Sequence, residues 1–586
     1  MSRLAGVAAR WKALDWRADA GIALVAGIGY AILGWWLWEG RPTGLDETVM
    51  VWQARLLAHG QLAAPVPPHP EAVLTRLTAI GPIGIIGQFS LGTVLLLVPF
   101  VLIGQISLAG PVYGAIGVFC WARLVRRLEA DAKTALAAVL LLAISPFWAI
   151  QSTSQLAHVP LTALLCATGV MVARLFSAAP GRRDAIWLGV LVGAAAMVRP
   201  VEALATAVPS ALLVLWGVAR GRLPRRVIGQ GLLGVAGPMA ILLATNTVAT
   251  GAPLRFSYDV VSGPNHRLGF HQAPDGADYT PERGVLKVRK QLHSFGIATW
   301  ESRISPLTPA AVGVLLALPA LTLLDGWALL TVLGLFLGYW TYWGNAEWLG
   351  PRFLLPILPF VLLAVARLPR LLGRWHPALG ALAALALVGV VAEGLFRGAP
   401  VTFREYDGLE RSTTRDISRL LIGTPRPGLI IARGDVRRTN EARVRALRSK
   451  ASGGPTIVRG ENQCSVLWTV RWLERGVQPA PPIAPAWRDW CAGPDYKQWE
   501  LVSADVLGAV LLFDAPNRPI LRDLGARTAI LADSITFRTK TRLLYWQRIG
   551  KEQWRPRLEP FNYDSALVSW AREDSAFALG QRQVGR

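Results

Sequence analysis

Along the first two thirds of the chain, apolar residues fall in long, nearly uncharged runs separated by short basic stretches. Laid end to end, the runs predict eleven membrane-spanning helices near residues 19–38, 107–123, 134–151, 159–177, 185–199, 202–218, 227–249, 307–324, 327–343, 353–367 and 376–396. Most approach the roughly 20 residues a helix needs to cross about 30 Å of hydrocarbon. The clusters Arg123/Arg126/Arg127, Arg174/Arg182/Arg183, Arg220/Arg222/Arg225/Arg226 and Arg367/Arg370/Arg374 follow every second run. With Arg3, Arg10, Lys12 and Arg17 they reach one face, which the positive-inside rule makes cytoplasmic. A crossing at 81–104 would carry the later clusters outside. That apolar stretch is therefore expected to be an interfacial or re-entrant helix of the first outer loop. Trp35, Trp36, Trp38, Trp340, Trp343 and Trp348 stand at outer ends of runs, where an aromatic belt belongs.

Composition agrees: 586 residues, 52% hydrophobic and 17% charged, describe a polytopic membrane protein. The formal net charge of +23 concentrates at the inner face, so it does not imply a nucleic-acid partner. The basic N-terminus precedes a run long enough to span, so no cleavable leader is expected and the N-terminus is read as cytoplasmic. Eleven crossings leave the C-terminus outside. From residue 397 the composition becomes that of a mixed α/β extracytoplasmic domain (397–586), with strand-like runs at 428–432 and 506–513. Cys120 and Cys166 lie in spans, whereas Cys464 and Cys491 are the two cysteines of the outer domain. An oxidising compartment would favour their pairing as a disulfide. The basic run 433–450 reads as a solvated face that also suits acidic glycans or lipid head groups.

The cytoplasmic loops are short and basic, so the candidate chemistry belongs to three outer segments, 39–105, 250–305 and 343–353. Directly after the first span stands the acidic pair Asp46-Glu47. Val49, Trp52, Leu56 and Leu57 recur at helical spacing, which predicts a helix over 46–58 ended by Gly60. Asp46 then occupies the first turn, where the helix dipole favours the ionised form a general base requires. Glu47 projects roughly 100° away and must serve differently. Arg76, Arg267, Arg352 and Arg199 are the candidate phosphate ligands, because a guanidinium fork matches phosphate oxygens in pairs. Arg352 also suits a snorkelling interface residue, and Arg199 an ion pair with Glu202. His69, Tyr258 and His266 are candidate substrate contacts, although His69 between prolines also suits a plain turn. No HExxH, paired CxxC or first-loop DxD is present, so no cofactor is required and a divalent metal is unsupported.

Several short motifs follow one another on the expected face: Asp46-Glu47, Ala54-Arg55, Gly60-Gln61-Leu62 with a Pro-rich stretch, and Met197-Val198-Arg199-Pro200. Thr250-Gly251-Ala252-Pro253-Leu254, His266-Arg267-Leu268-Gly269-Phe270 and Gly350-Pro351-Arg352-Phe353-Leu354-Leu355-Pro356 continue the series. Together, over residues 20–400, they resemble the GT-C membrane glycosyltransferases. The nearest branch is the bacterial one related to protein O-mannosyltransferases and the lipid A aminoarabinose transferase. The resemblance implies a GT-C transmembrane domain (1–396) in a bacterial inner membrane. It implies inverting transfer of a sugar from a polyprenyl-phosphate donor to a glycan, lipid or protein acceptor outside, with Asp46 as base and Glu47 placing acceptor or donor. The chain differs from that pattern at Thr78-Ala79-Ile80-Gly81-Pro82-Ile83-Gly84, where relatives carry a Tyr-Pro-Pro-like motif, often with lysine. That difference keeps open a second reading, a GT-C-like subunit or scaffold without catalysis that binds through its outer domain. A transporter is a third, disfavoured because no repeat relates the two halves.

Overall fold

The computed structural model describes residues 11, 13–38, 42, 45–66, 77–263, 265–273, 278–344 and 349–403, and beyond them the backbone of four strands. The chain divides into two compact units, one of residues 1–61, 89–259 and 264–407, the other of 62–88, 260–263 and 408–586.

The described part of the first unit is helical. Its helices of ten or more residues are α1 Trp16–Trp38, α2 Leu45–Ala58, α3 Leu91–Leu102, α4 Ala109–Leu128, α5 Ala132–Ile144, α6 His158–Leu175 and α7 Asp184–Val198. They continue with α8 Pro200–Ala219, α9 Arg226–Thr250, α10 Pro281–Ala298, α11 Leu307–Ala317, α12 Leu323–Trp340, α13 Leu358–Gly373 and α14 Pro377–Glu393. Among the described residues eight helical stretches are long and apolar enough to cross a membrane: Trp16–Trp38, Ile106–Leu128, His158–Leu175, Pro200–Ala219, Arg226–Thr250, Leu323–Trp340, Arg352–Gly373 and Pro377–Thr402. The expected spans near 134–151, 185–199 and 307–324 fall on shorter apolar helices, Ala132–Ile144, Asp184–Val198 and Leu307–Ala320, which like Leu91–Leu102 do not reach that length. Leucines such as Leu232 and Leu233 on α9 and Leu382 and Leu385 on α14 stay exposed. A lipid-facing surface has that composition, since acyl chains are as apolar as leucine.

Small residues let these helices approach closely. A Cβ on Gly189 of α7 would lie 2.1 Å from the Gly231 carbonyl oxygen, and one on Gly234 of α9 2.1 Å from that of Ile186. At the opposite end of the bundle from the acidic pair, buried carboxylates tie the arginine clusters down. Asp19 of α1, fully buried, accepts two hydrogen bonds of 2.8 Å from Arg126 of α4. Glu129 takes Arg367 at 2.9 Å and Arg370 at 2.7 Å, and Arg367 reaches on to Asp325 of α12 at 2.8 Å.

Two expectations are corrected. Residues 81–104 are not one helix, because 78–87 form an antiparallel hairpin, β1 Thr78–Gly81 with β2 Gly84–Gly87, and only Leu91–Leu102 is helical. Gly84 explains the break: its φ is +130°, and a Cβ there would sit 2.2 Å from the Ala64 carbonyl oxygen. Nor do all the tryptophans form a belt. Trp35 and Trp36 are exposed, but Trp38 is buried and donates its indole N–H to Thr153 at 2.8 Å. The Trp343 indole nitrogen is buried as well. Trp348 lies outside the described residues.

In the second unit the hairpin is accompanied by β3 Gly428–Arg433, paired in parallel with β4 Thr528–Asp533, and by β5 Trp546–Arg548, antiparallel to β6 Trp554–Pro556. The first of the two expected C-terminal strands is thus present, and parallel pairing requires a crossover between its members. The run 506–513, Cys464 and Cys491 lie outside the described residues.

Candidate active site

The helix expected over 46–58 is α2, and it ends as predicted, with Gly60 at φ +74°. Gln53 fixes it to the segment before α3: its amide donates to the Phe89 carbonyl at 3.1 Å and accepts the Phe89 N–H at 3.3 Å. α3 is docked in turn on the break between α7 and α8. Pro200 leaves the end of α7 open, and the Ser90 and Thr93 hydroxyls donate to the Val198 carbonyl at 2.8 and 3.2 Å.

On this base the two carboxylates diverge as their spacing requires. Asp46, in the first turn of α2, stays partly open, with 24% of its side chain exposed, and pairs with Arg352 at 2.5 Å. Glu47 is fully buried and accepts the backbone N–H of Gln155 at 2.9 Å. Arg352 spends one guanidinium nitrogen, Nη2, on Asp46. Its Nε and Nη1 are buried and meet no acceptor among the described residues. An orphaned pair of guanidinium donors is costly and marks a place where an anion belongs.

The loop before Arg352 is shaped to present it. Leu349 is buried at φ +55°, in the left-handed region, and Gly350 follows at +86°. The Leu349 carbonyl accepts the side-chain amide of Gln151 at 2.6 Å, which anchors the strained turn from below. The 3-10 turn Arg352–Ile357 then aims Arg352 and Phe353 to one region. Phe353 is a hub: Tyr339 stacks on it at 5.0 Å, the Arg199 guanidinium lies 5.1 Å from its centroid and His158 5.6 Å away. Arg199 forms the expected ion pair with Glu202, which also accepts the Tyr339 hydroxyl. Arg199 is thus neutralised locally, whereas Arg352 retains open donors.

Tyr258 lies within electrostatic reach of Asp46, Arg199, Glu202 and Arg352, and burial pushes its phenol up to about 12. His266 stacks on Tyr258 at 5.1 Å, shares a 3.1 Å hydrogen bond with the Tyr342 hydroxyl and meets Trp343 edge-on at 5.6 Å. Burial holds the His266 imidazole down at about 4, so it is neutral near pH 7. These rings form an aromatic wall beside the charged pair, and such faces suit the C–H faces of a sugar.

The residues named from sequence therefore separate. Asp46, Arg352, Arg199, Tyr258 and His266 are brought together, and Glu47 turns inward beneath them. Arg267 is exposed and contributes its backbone carbonyl to His271 at 3.0 Å. Arg76 and His69 lie outside the described residues. Sequence reasoning missed Phe353, Tyr339, Tyr342 and the buried polar run 151–158, in which Gln155 Oε1 and His158 Nδ1 have no partner among the described residues. Their only signal was the density of Gln, Ser and Thr in Gln151-Ser152-Thr153-Ser154-Gln155 at a span boundary. Among the described residues no group of three or more His, Cys, Asp or Glu is placed to hold a metal ion.

No protein-family model matches the chain, and no curated protein matches it. Among solved structures it is similar to ArnT from Cupriavidus metallidurans bound to undecaprenyl phosphate, with 15% identity over 78% of this chain and 75% of that one and a TM-score of 0.41. It is similar to the apo state of the same protein, at 15% identity, 70% and 82% coverage and a TM-score of 0.46. A third similar structure is the archaeal oligosaccharyltransferase AglB from Archaeoglobus fulgidus with an inhibitory peptide and a dolichol-phosphate, at 11% identity, 87% and 69% coverage and a TM-score of 0.41.

Proposed function

We infer that this chain is a membrane glycosyltransferase that moves a sugar from a polyprenyl-phosphate donor to an acceptor at the outer face of the membrane. The observation that carries the reading is the contact between Asp46 and Arg352, a base and a phosphate ligand 2.5 Å apart, with two guanidinium nitrogens still open. Without donor, Arg352 holds Asp46. A lipid phosphate reaching either open donor, Nε or Nη1, would share an edge with the Nη2 that holds Asp46, compete for the guanidinium and release the carboxylate for an acceptor hydroxyl. The acceptor oxygen then attacks the anomeric carbon while its proton passes to Asp46. The bond from that carbon to the phosphate oxygen breaks on the opposite face, inverting the centre, and Arg352 stabilises the charge left on the polyprenyl phosphate. Glu47 orients the 151–158 segment through Gln155, and the wall of Tyr258, His266 and Tyr342 positions the sugar. The remaining assignments belong to the same proposal: residues 1–396 as the membrane domain of a bacterial inner-membrane protein, 397–586 as an extracytoplasmic domain, and Cys464 with Cys491 as its disulfide.

One observation favours a second reading, a scaffold without catalysis: the 78–84 segment is a Gly-rich hairpin that offers neither tyrosine nor lysine to a phosphate. The test is release of polyprenyl phosphate by purified protein offered a panel of polyprenyl-phosphate sugars and candidate acceptors. Turnover by the wild type and a loss of about 10²–10⁴-fold in Asp46→Asn supports the transferase. Equal release by both proteins removes Asp46 as base, and no release by folded wild type with every donor and acceptor favours the scaffold.

A further inference from the structure

Between α6 and α7, at the end of the bundle remote from Asp46, the chain forms an open cavity of about 580 Å³. Its lining has two parts. Arg174, Arg182, Arg183 and Asp184 make a charged rim where α6 ends and α7 begins, while Met171, Trp187 and Leu191 make an apolar wall. Asp184 does not neutralise the rim. One of its carboxylate oxygens pairs with Arg174 at 3.0 Å and the other accepts the Gly181 N–H at 2.7 Å. Arg182 and Arg183 are exposed and form no ion pair among the described residues.

The order of these residues along the two helices identifies the ligand class. Met171 stands one turn deeper in the bundle than Arg174. Trp187 and Leu191 stand one and two turns deeper than Asp184, about 10 Å along the helix axis. The furrow is thus cationic at its mouth and apolar along its length, and Trp187 is 54% exposed on it. A free phosphate has no use for the apolar wall, and a neutral lipid has none for the arginines. An anionic phospholipid uses both, and the positive-inside pattern sets the mouth at the cytoplasmic headgroup level.

We propose that the α6–α7 furrow is a binding site for an anionic phospholipid, with Arg182 and Arg183 on the phosphate and Met171, Trp187 and Leu191 along the first acyl segment. The site stands on the opposite side of the bundle from Asp46 and does not depend on what Asp46 does.

The test titrates the purified full chain in detergent with short-chain phosphatidylglycerol, phosphatidylcholine and glycerol phosphate, reading retained ligand by native mass spectrometry. Phosphatidylglycerol is expected to bind at least tenfold tighter than the other two. The R182Q/R183Q double variant, altered only at exposed positions, is expected to lose about 30-fold in affinity, as two surface arginines contribute. Trp187→Ser should also weaken phosphatidylglycerol while leaving the weak glycerol phosphate signal unchanged. Phosphatidylcholine binding as tightly as phosphatidylglycerol overturns the proposal. So does equal affinity in the double variant. Glycerol phosphate binding as tightly as the lipid overturns it too, because the site would then be one for a soluble phosphate.

Discussion

Asp46 and Arg352 are 306 residues apart in sequence and 2.5 Å apart in the fold. Each was visible separately: Asp46 because an acidic pair follows the first span, Arg352 because a Gly-Pro-Arg turn opens an apolar run. Their contact was not visible, since a single sequence carries no record of which residues meet. The neutral members of the site were hidden for another reason. Phe353, Tyr339 and Tyr342 look like ordinary span residues until the strained turn at Leu349 and Gly350 gathers them around one ring. The geometry predicts that Arg352→Lys, which keeps the charge but loses the fork, lowers kcat/KM for the lipid donor by about 10- to 100-fold. Steady-state kinetics with one polyprenyl-phosphate sugar checks it, and an unchanged value would mean that the phosphate lies elsewhere. His266 gives a pH prediction. Its folded-state pKa, about 4, is below the ordinary 6.5, so the folded chain favours neutral imidazole. Its contribution is whole above pH 6.5 and is lost as pH falls from there towards 4, where the unfolded chain takes up the proton first. Thermal midpoints of wild type should fall more steeply over that window than those of His266→Phe.

At the scale of elements, the helices were legible where periodicity, charge and a stop signal agreed, as in α2 from Leu45 to Ala58 with Gly60 behind it. The hairpin at 78–87 was not, because its residues are apolar and glycine-rich, and apolarity alone does not separate a short strand pair from a helix. Its neighbour α3 depends on Gly92. A Cβ there would stand 2.4 Å from the Met197 carbonyl carbon, so Gly92→Ala must push α3 off the α7–α8 break that orients it and α2. We expect a loss of about 1–3 kcal/mol, read as a lower midpoint of thermal unfolding. α10 offers a second test. Lys287 donates to the Tyr339 carbonyl at 2.7 Å and to that of Tyr342, where the end of α12 concentrates negative partial charge. Burial holds this ammonium down at about 8. Lys287→Met should cost about 1.5–3 kcal/mol of local stability, seen as faster amide exchange through Pro281–Ala298 with little change in α6.

At the scale of the molecule, the arginine clusters have two roles that a sequence reads as one. The positive-inside rule counted Arg126, Arg367 and Arg370 as topology markers, yet the fold uses them to satisfy Asp19, Glu129 and Asp325 and so tie α1 to α4 and the end of α4 to α12 and α13. Arg182 and Arg183 have no such use within the described residues. The two roles are compatible, because a buried carboxylate at that end of the bundle needs a cation beside it, and a cation there is also what the positive-inside rule counts. The proposal for Asp46 nevertheless rests on orientation, since polyprenyl-phosphate sugars serve as donors outside. In a chain whose four native cysteines are replaced by serine, Glu282→Cys on exposed α10 should react with a membrane-impermeant maleimide in intact spheroplasts. Ala179→Cys, in the loop between α6 and α7, should react only after permeabilisation. The reverse pattern would put Asp46 on the cytoplasmic side, where nucleotide-sugars are available, and the lipid-donor reading would fall even if Asp46→Asn remained inactive.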